Sequence, residues 1–128
     1  DYFKFSLINQ IDGGRLNNLN GPDEMLICGL SVGADGGIGT SYNVLPKVVS
    51  GIYDNFKKGD MKAALDCQRK LNKYITKMLV GKGIVYWKES LALLGFDMGY
   101  TVFPAMVTAE DKKQFKKDME EIDFFNMV

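Results

Sequence analysis

The 128-residue chain contains no histidine. Serine–histidine–aspartate and cysteine–histidine catalysis, an imidazole general base and histidine-rich metal sites are thereby excluded. Any chemistry must run through carboxylates, lysines, tyrosines or backbone groups. An excess of charge of one sign is also lacking, since 16 basic and 16 acidic side chains cancel. This removes the electrostatic footprint of a nucleic-acid binder, and no nucleic-acid partner is expected. The longest nearly uncharged stretch, residues 25–34, falls well short of the ~20 apolar residues that span a bilayer. With no secretory signal pattern either, no membrane partner is expected. Only two cysteines occur, Cys28 and Cys67, each in apolar, helical-looking sequence. They read as small buried hydrophobes of a reducing, cytoplasmic compartment rather than as a disulfide. What remains is ordinary globular composition, 46% hydrophobic with 14 glycines, in a length that allows one domain at most.

Phe3, Leu7, Ile8 and Ile11 fall at helical spacing, and Asp12-Gly13-Gly14 ends the run, which predicts a short amphipathic helix. Residues 16–20 read as a short strand stopped by Gly21-Pro22. Pro22 followed by Asp23 and Glu24 is a helix start, because proline tolerates the first turn and acids complement the N-terminal dipole. That helix is expected through residue 30. Residues 32–39 predict a second short strand entering a glycine-rich loop.

From Asn43 the pattern is helical. Leu45, Val48, Val49, Ile52, Tyr53 and Phe56 form one face, and Lys57-Lys58-Gly59 a cationic last turn with its stop. Asp60 caps a longer helix with Ala64, Cys67, Leu71, Tyr74, Ile75 and Met78 inward. A helix over 82–94, closed by Gly95, and a loop over 96–105 follow. Thr108-Ala109-Glu110-Asp111 then opens a last helix with Phe115, Met119 and Ile122 inward. The aromatics Tyr53, Phe56, Tyr74, Trp87 and Phe115 read as core, and the lysine clusters 57–58, 112–113 and 116–117 as solvated faces. Helices alternating with strands argue for parallel α/β architecture. Two short strands cannot form a stable sheet alone, so pairing with another chain is expected.

Two constellations carry candidate chemistry. Asp23 and Glu24 just past a strand serve as first-turn acids on a helix N-terminus. They also fit acceptors for the hydroxyls of a polyol at the C-terminal end of a parallel strand. The stretch Gly33-Ala34-Asp35-Gly36-Gly37-Ile38-Gly39-Thr40-Ser41-Tyr42-Asn43 reads either as a tight strand-to-helix turn or as a cradle where backbone N–H groups approach a ligand. It lacks the Gly-Lys-Ser/Thr ending of a phosphate loop and does not spell the dinucleotide fingerprint.

Taken together at their fixed separation, Asn20-Gly21-Pro22-Asp23-Glu24 and this glycine-rich stretch resemble the N-acetylneuraminate lyases, class I aldolases of the dihydrodipicolinate synthase type. The likeness continues through Gly51-Ile52, Lys58-Gly59-Asp60, the Lys88 to Gly95 helix and the Phe103 to Val107 loop. It implies the C-terminal part of a TIM (β/α)8 barrel: the last two strands with their helices, then a C-terminal helical extension. Residues 1–58 would be the barrel segment and 59–128 the extension.

The resemblance also implies a Schiff-base lyase cleaving N-acetylneuraminate, a sialic acid, to N-acetylmannosamine and pyruvate without a cofactor or metal. The Schiff-base lysine of the family would lie upstream of Asp1, matched by no lysine here. It would sit on a complementary N-terminal barrel half, together with the proton-relay tyrosine and the hydroxyl pair for the substrate carboxylate. No catalytic residue is expected on this chain, which alone would be inactive; the complete barrel is expected to be a homo-oligomer, usually a tetramer. Substrate-binding residues implied here are Asp23 and Glu24 on the polyol hydroxyls, the Thr40 hydroxyl, the Gly21 and Gly39 backbones, and Phe103 lining the pocket. Pro22 stands where an aromatic is commoner and Thr40 where serine is usual; both preserve the chemistry. Two other readings are a related pyruvate-dependent aldolase acting on a different aldehyde, and a non-catalytic helical interaction module derived from a barrel.

Overall fold

The computed structural model describes residues 1–99 and 106–128. Helix α1 (Tyr2–Ile8) is capped by the Asp1 carboxylate, which accepts from the Phe3 and Lys4 amides. The helix ends at Ile8, before the predicted stop, and the chain turns over Ile11–Gly14, where Asp12 and Gly13 take left-handed backbone at φ 53° and 65°. The predicted apolar face finds no cover, however: Phe3 is 70% exposed and Leu7, Ile8 and Ile11 are exposed as well. Periodicity identifies an apolar stripe without saying what lies against it.

Both strands are shorter than predicted. They contract to β1 (Leu19–Asn20) and β2 (Gly36–Gly37), joined by helix α2 (Leu26–Ser31). They pair with each other in parallel, Leu19 opposite Gly36 and Asn20 opposite Gly37, as a sheet of two strands. The crossover that a parallel pair requires is supplied by α2. The predicted helix start at Pro22 is a 3₁₀ turn, Asp23–Met25, with Pro22 extended just before it.

Pro46 opens α3 (Pro46–Lys58) after a 3₁₀ turn, Thr40–Asn43, and Gly59 closes it in left-handed conformation at φ 80°. Asp60 accepts from the Ala63 amide at 2.9 Å to start α4 (Met61–Val80). Helix α5 (Ile84–Leu93) is slightly shorter than the predicted span, and α6 (Ala109–Glu121) begins with the expected capping box of Thr108 and Asp111.

The core collects Leu26, Leu45, Ile52, Leu71, Met78 and Met119 between α2, α3, α4 and α6. Tyr74 stacks on Phe124 at 5.8 Å, and its hydroxyl donates to Ser90 Oγ at 2.8 Å; burial pushes that phenol well above its ordinary pKa. Tyr53, Phe56 and Trp87 are half-buried against the same core. Cys28 and Cys67 are free thiols, half-buried rather than fully enclosed. The lysine clusters are exposed as predicted. Lys112 pairs with Glu89, and Lys77 and Lys82 join α4 and the α4–α5 turn to Glu121 and Asp111 of α6. Among the described residues no helix is long and apolar enough to cross a membrane.

Candidate functional site

The C-terminal ends of β1 and β2 set the two sequence constellations side by side. Past β1, the buried Asn20 side chain donates to the Pro22 carbonyl at 2.7 Å and accepts from the Tyr2 hydroxyl. This bends the chain into the Asp23–Met25 turn. Past β2, the Ile38 amide donates to the Asn20 carbonyl at 2.9 Å, which carries the ladder up to Gly39.

Asp23 joins the two segments. It is 9% exposed, and its Oδ2 accepts from the Ser41 amide at 2.9 Å and from the Ser41 hydroxyl. Its other oxygen lies over Gly39 so closely that a Cβ there would sit 1.5 Å from it. Gly39 has extended backbone at φ −160°, so what the position demands is space and not unusual torsion. Glu24 beside it is exposed. Tyr42 packs its hydroxyl over Gly37, and burial, together with the neighbouring Asp23 carboxylate, pushes its phenol up to about 12.

An open cleft of about 280 Å³ runs along this junction. Five of the six predicted residues line it: Gly21, Asp23, Glu24, Gly39 and Thr40. Phe103 lies outside the described residues. The first-turn reading of the two acids and their place on the cleft hold together, since both stand on the 3₁₀ turn and both face the cavity.

Sequence reasoning missed the apolar wall, formed by Ile38 and by Ile75, Leu79 and Trp87 of α4 and α5. Trp87 and Ile75 had been expected only in the core. It also missed Ser41 as the partner of Asp23, and Gln68, which is buried on α4. A signal for Gln68 exists: it stands between Ala64 and Leu71 at helical spacing, a polar residue on an apolar face that must find partners.

The sequence profile of the Dihydrodipicolinate synthetase family matches residues 5–122. The chain belongs to this family. It is 32% identical over 111 residues to an N-acetylneuraminate lyase of Actinobacillus pleuropneumoniae, covering 85% of this chain and 38% of that one. Identity with a 4-hydroxy-tetrahydrodipicolinate synthase of Chlorobaculum parvum is 28% over 109 residues, 84% of this chain and 37% of the other. Among solved structures, the Proteus mirabilis N-acetylneuraminate lyase superposes with a TM-score of 0.87 at 26% identity, over 97% of this chain and 42% of that one. The chain therefore spans less than half the length of these family members. Its fold is the C-terminal part of a TIM (β/α)8-barrel aldolase, and the short β1–α2–β2 unit is the piece of the barrel wall it contains.

Proposed function

We propose that this chain is the C-terminal part of a Schiff-base lyase that cleaves N-acetylneuraminate to N-acetylmannosamine and pyruvate, and that it provides the site for the sugar's polyol tail. The observation that carries the reading is the convergence of the Asp23 and Glu24 carboxylates, the Thr40 side chain and the Gly21 and Gly39 backbones on one cleft. Carboxylates accept strongly from hydroxyl donors, and a threonine hydroxyl both donates and accepts. The apolar side chains of Ile75, Leu79 and Trp87 suit the carbon face of the same ligand. A site built to bond hydroxyls rejects analogues lacking them, because its polar groups are then left unpaired.

Residues 1–58 act in this reading as the barrel segment and 59–128 as the helical extension. The Schiff-base lysine belongs to the complementary N-terminal half, whose strands would continue the β1–β2 sheet, and the completed barrel assembles as a homo-oligomer. This chain binds and orients the substrate, which is where much of the barrier reduction of a bound reaction originates. The nucleophile comes from elsewhere.

Reduction of the complete barrel with borohydride in the presence of pyruvate, followed by mass mapping, is expected to leave every lysine of residues 1–128 unmodified. An adduct on any of them overturns the division of labour. Asp23→Ala in the complete barrel is expected to impair cleavage of N-acetylneuraminate far more than trapping of pyruvate; equal losses would count against a sugar-tail role. The similarity to a 4-hydroxy-tetrahydrodipicolinate synthase supports a second reading, a pyruvate aldolase using another aldehyde. Faster turnover of shorter 2-oxo acids than of N-acetylneuraminate would favour it.

A further inference from the structure

Helix α4 lies outside the β1–α2–β2 unit, yet two of its polar side chains grip the turn that carries both acids. Gln68 is 4% exposed. Its Oε1 accepts from the Ile27 amide at 3.0 Å, and its Nε2 donates to the Asp23 carbonyl at 3.1 Å and to Asn72 Oδ1 at 2.9 Å. Asn72, one turn further along α4, donates from Nδ2 to the Glu24 carbonyl at 3.2 Å. The two amides thus bond each other and hold the main-chain carbonyls of the two consecutive acids, together with an amide in the first turn of α2. Neither lines the cleft.

A 3₁₀ turn of three residues has few hydrogen bonds of its own to fix its direction, and first-turn amides of a helix have no partner within the helix. The bonds from α4 supply both deficits. We propose that Gln68 and Asn72 are positioning residues that aim the Asp23 and Glu24 carboxylates into the cleft by holding the backbone of these residues, so that the helical extension sets recognition of the polyol tail. This rests on the lyase reading and adds to it a determinant of substrate affinity outside the cleft. A side chain that served only to fill the core would affect folding and every activity alike. Clamping residues act on binding of the tail and leave the pyruvate end of the reaction untouched.

The test is made in the complete barrel with Gln68→Leu and Asn72→Ala, with Lys70→Ala on the exposed face of α4 as control. Loss of charge-free hydrogen bonds to a turn that directs two acceptors is expected to raise KM for N-acetylneuraminate about tenfold, with kcat and borohydride trapping of pyruvate near wild type. Amide hydrogen exchange over residues 23–27 should accelerate in both variants and not in the control. Should Gln68→Leu fail to fold, the half-buried Asn72→Ala carries the test alone. An unchanged KM, or a fall in pyruvate trapping in step with the rise in KM, overturns the proposal. If the wild-type barrel does not cleave N-acetylneuraminate, the lyase reading fails on its own. Exchange over 23–27 then decides the clamp: acceleration upholds it, and no change overturns it.

Discussion

Gly39 and Gly21 both border the cleft, and their environments separate two reasons for glycine. A Cβ at Gly39 would stand 1.5 Å from Asp23 Oδ1 and 2.3 Å from its carboxyl carbon, whereas one at Gly21 meets nothing within 4 Å. Gly39→Ala is therefore expected to push the Asp23 carboxylate off Ser41 and leave a buried charge short of donors. A loss of about 1–3 kcal/mol follows from breaking such bonds, and urea unfolding of the complete barrel checks it. Gly21→Ala should leave stability unchanged in the same experiment. Ser41→Ala, which removes the hydroxyl donor but keeps the amide bond to Asp23, is expected to lie between the two.

Helix α6 is attached through its first turn as well as through its apolar face. The Thr108 side chain accepts from the Asp111 amide at 3.1 Å, Asp111 accepts from the Thr108 amide at 2.8 Å, and Lys82 Nζ reaches the same carboxylate at 2.6 Å. Thr108→Ala is expected to cost about 1 kcal/mol as a lost N-cap, read from urea unfolding. The Lys82 ammonium, followed by the Thr108 hydroxyl and amide, holds the Asp111 carboxyl at about 2, below its ordinary 3.8. A depressed carboxyl contributes stability that is complete above its unfolded value and is lost as pH falls through the folded one. The attachment of α6 should thus be insensitive to pH above about 4 and weaken between about 4 and 2. Amide exchange in α6 across that range measures it, and Lys82→Met should shift the loss toward higher pH.

For the molecule as a whole, α1 is the exposed feature with the largest consequence. It buries no residue completely, and Phe3, Leu7, Ile8 and Ile11 stand in solvent. Exposed apolar side chains gathered on one short helix and the turn after it suit a contact with another body, which in the proposed function is the remainder of the barrel. The isolated chain is expected to bind a hydrophobic dye, and the completed barrel to bind much less. Leu7→Glu should leave the isolated chain's thermal unfolding little changed, because Leu7 is 46% exposed and stands outside the buried core. It should prevent association with the complementary half, measured by size exclusion of the mixed chains.

Much of the fold was legible in one dimension. Caps at Asp60 and Thr108, the stops at Gly59 and Gly95, and the inward faces of α3, α4 and α6 follow from local propensity and 3.6-residue periodicity. Both act within a few residues and need no partner to be read. The pair Asp23-Glu24 and the loop Gly36 to Thr40 were legible for a different reason, since their order and separation carry a family resemblance. What no periodicity carries is which faces meet. Only the tertiary structure decided that β1 and β2 pair with each other, that the stripe on α1 stays bare, that Ser41 holds Asp23, and that Gln68 and Asn72 of α4 hold the turn below it. The contacts among these join residues from 17 to 48 positions apart, and the energy of such a contact depends on the packing of every element between them.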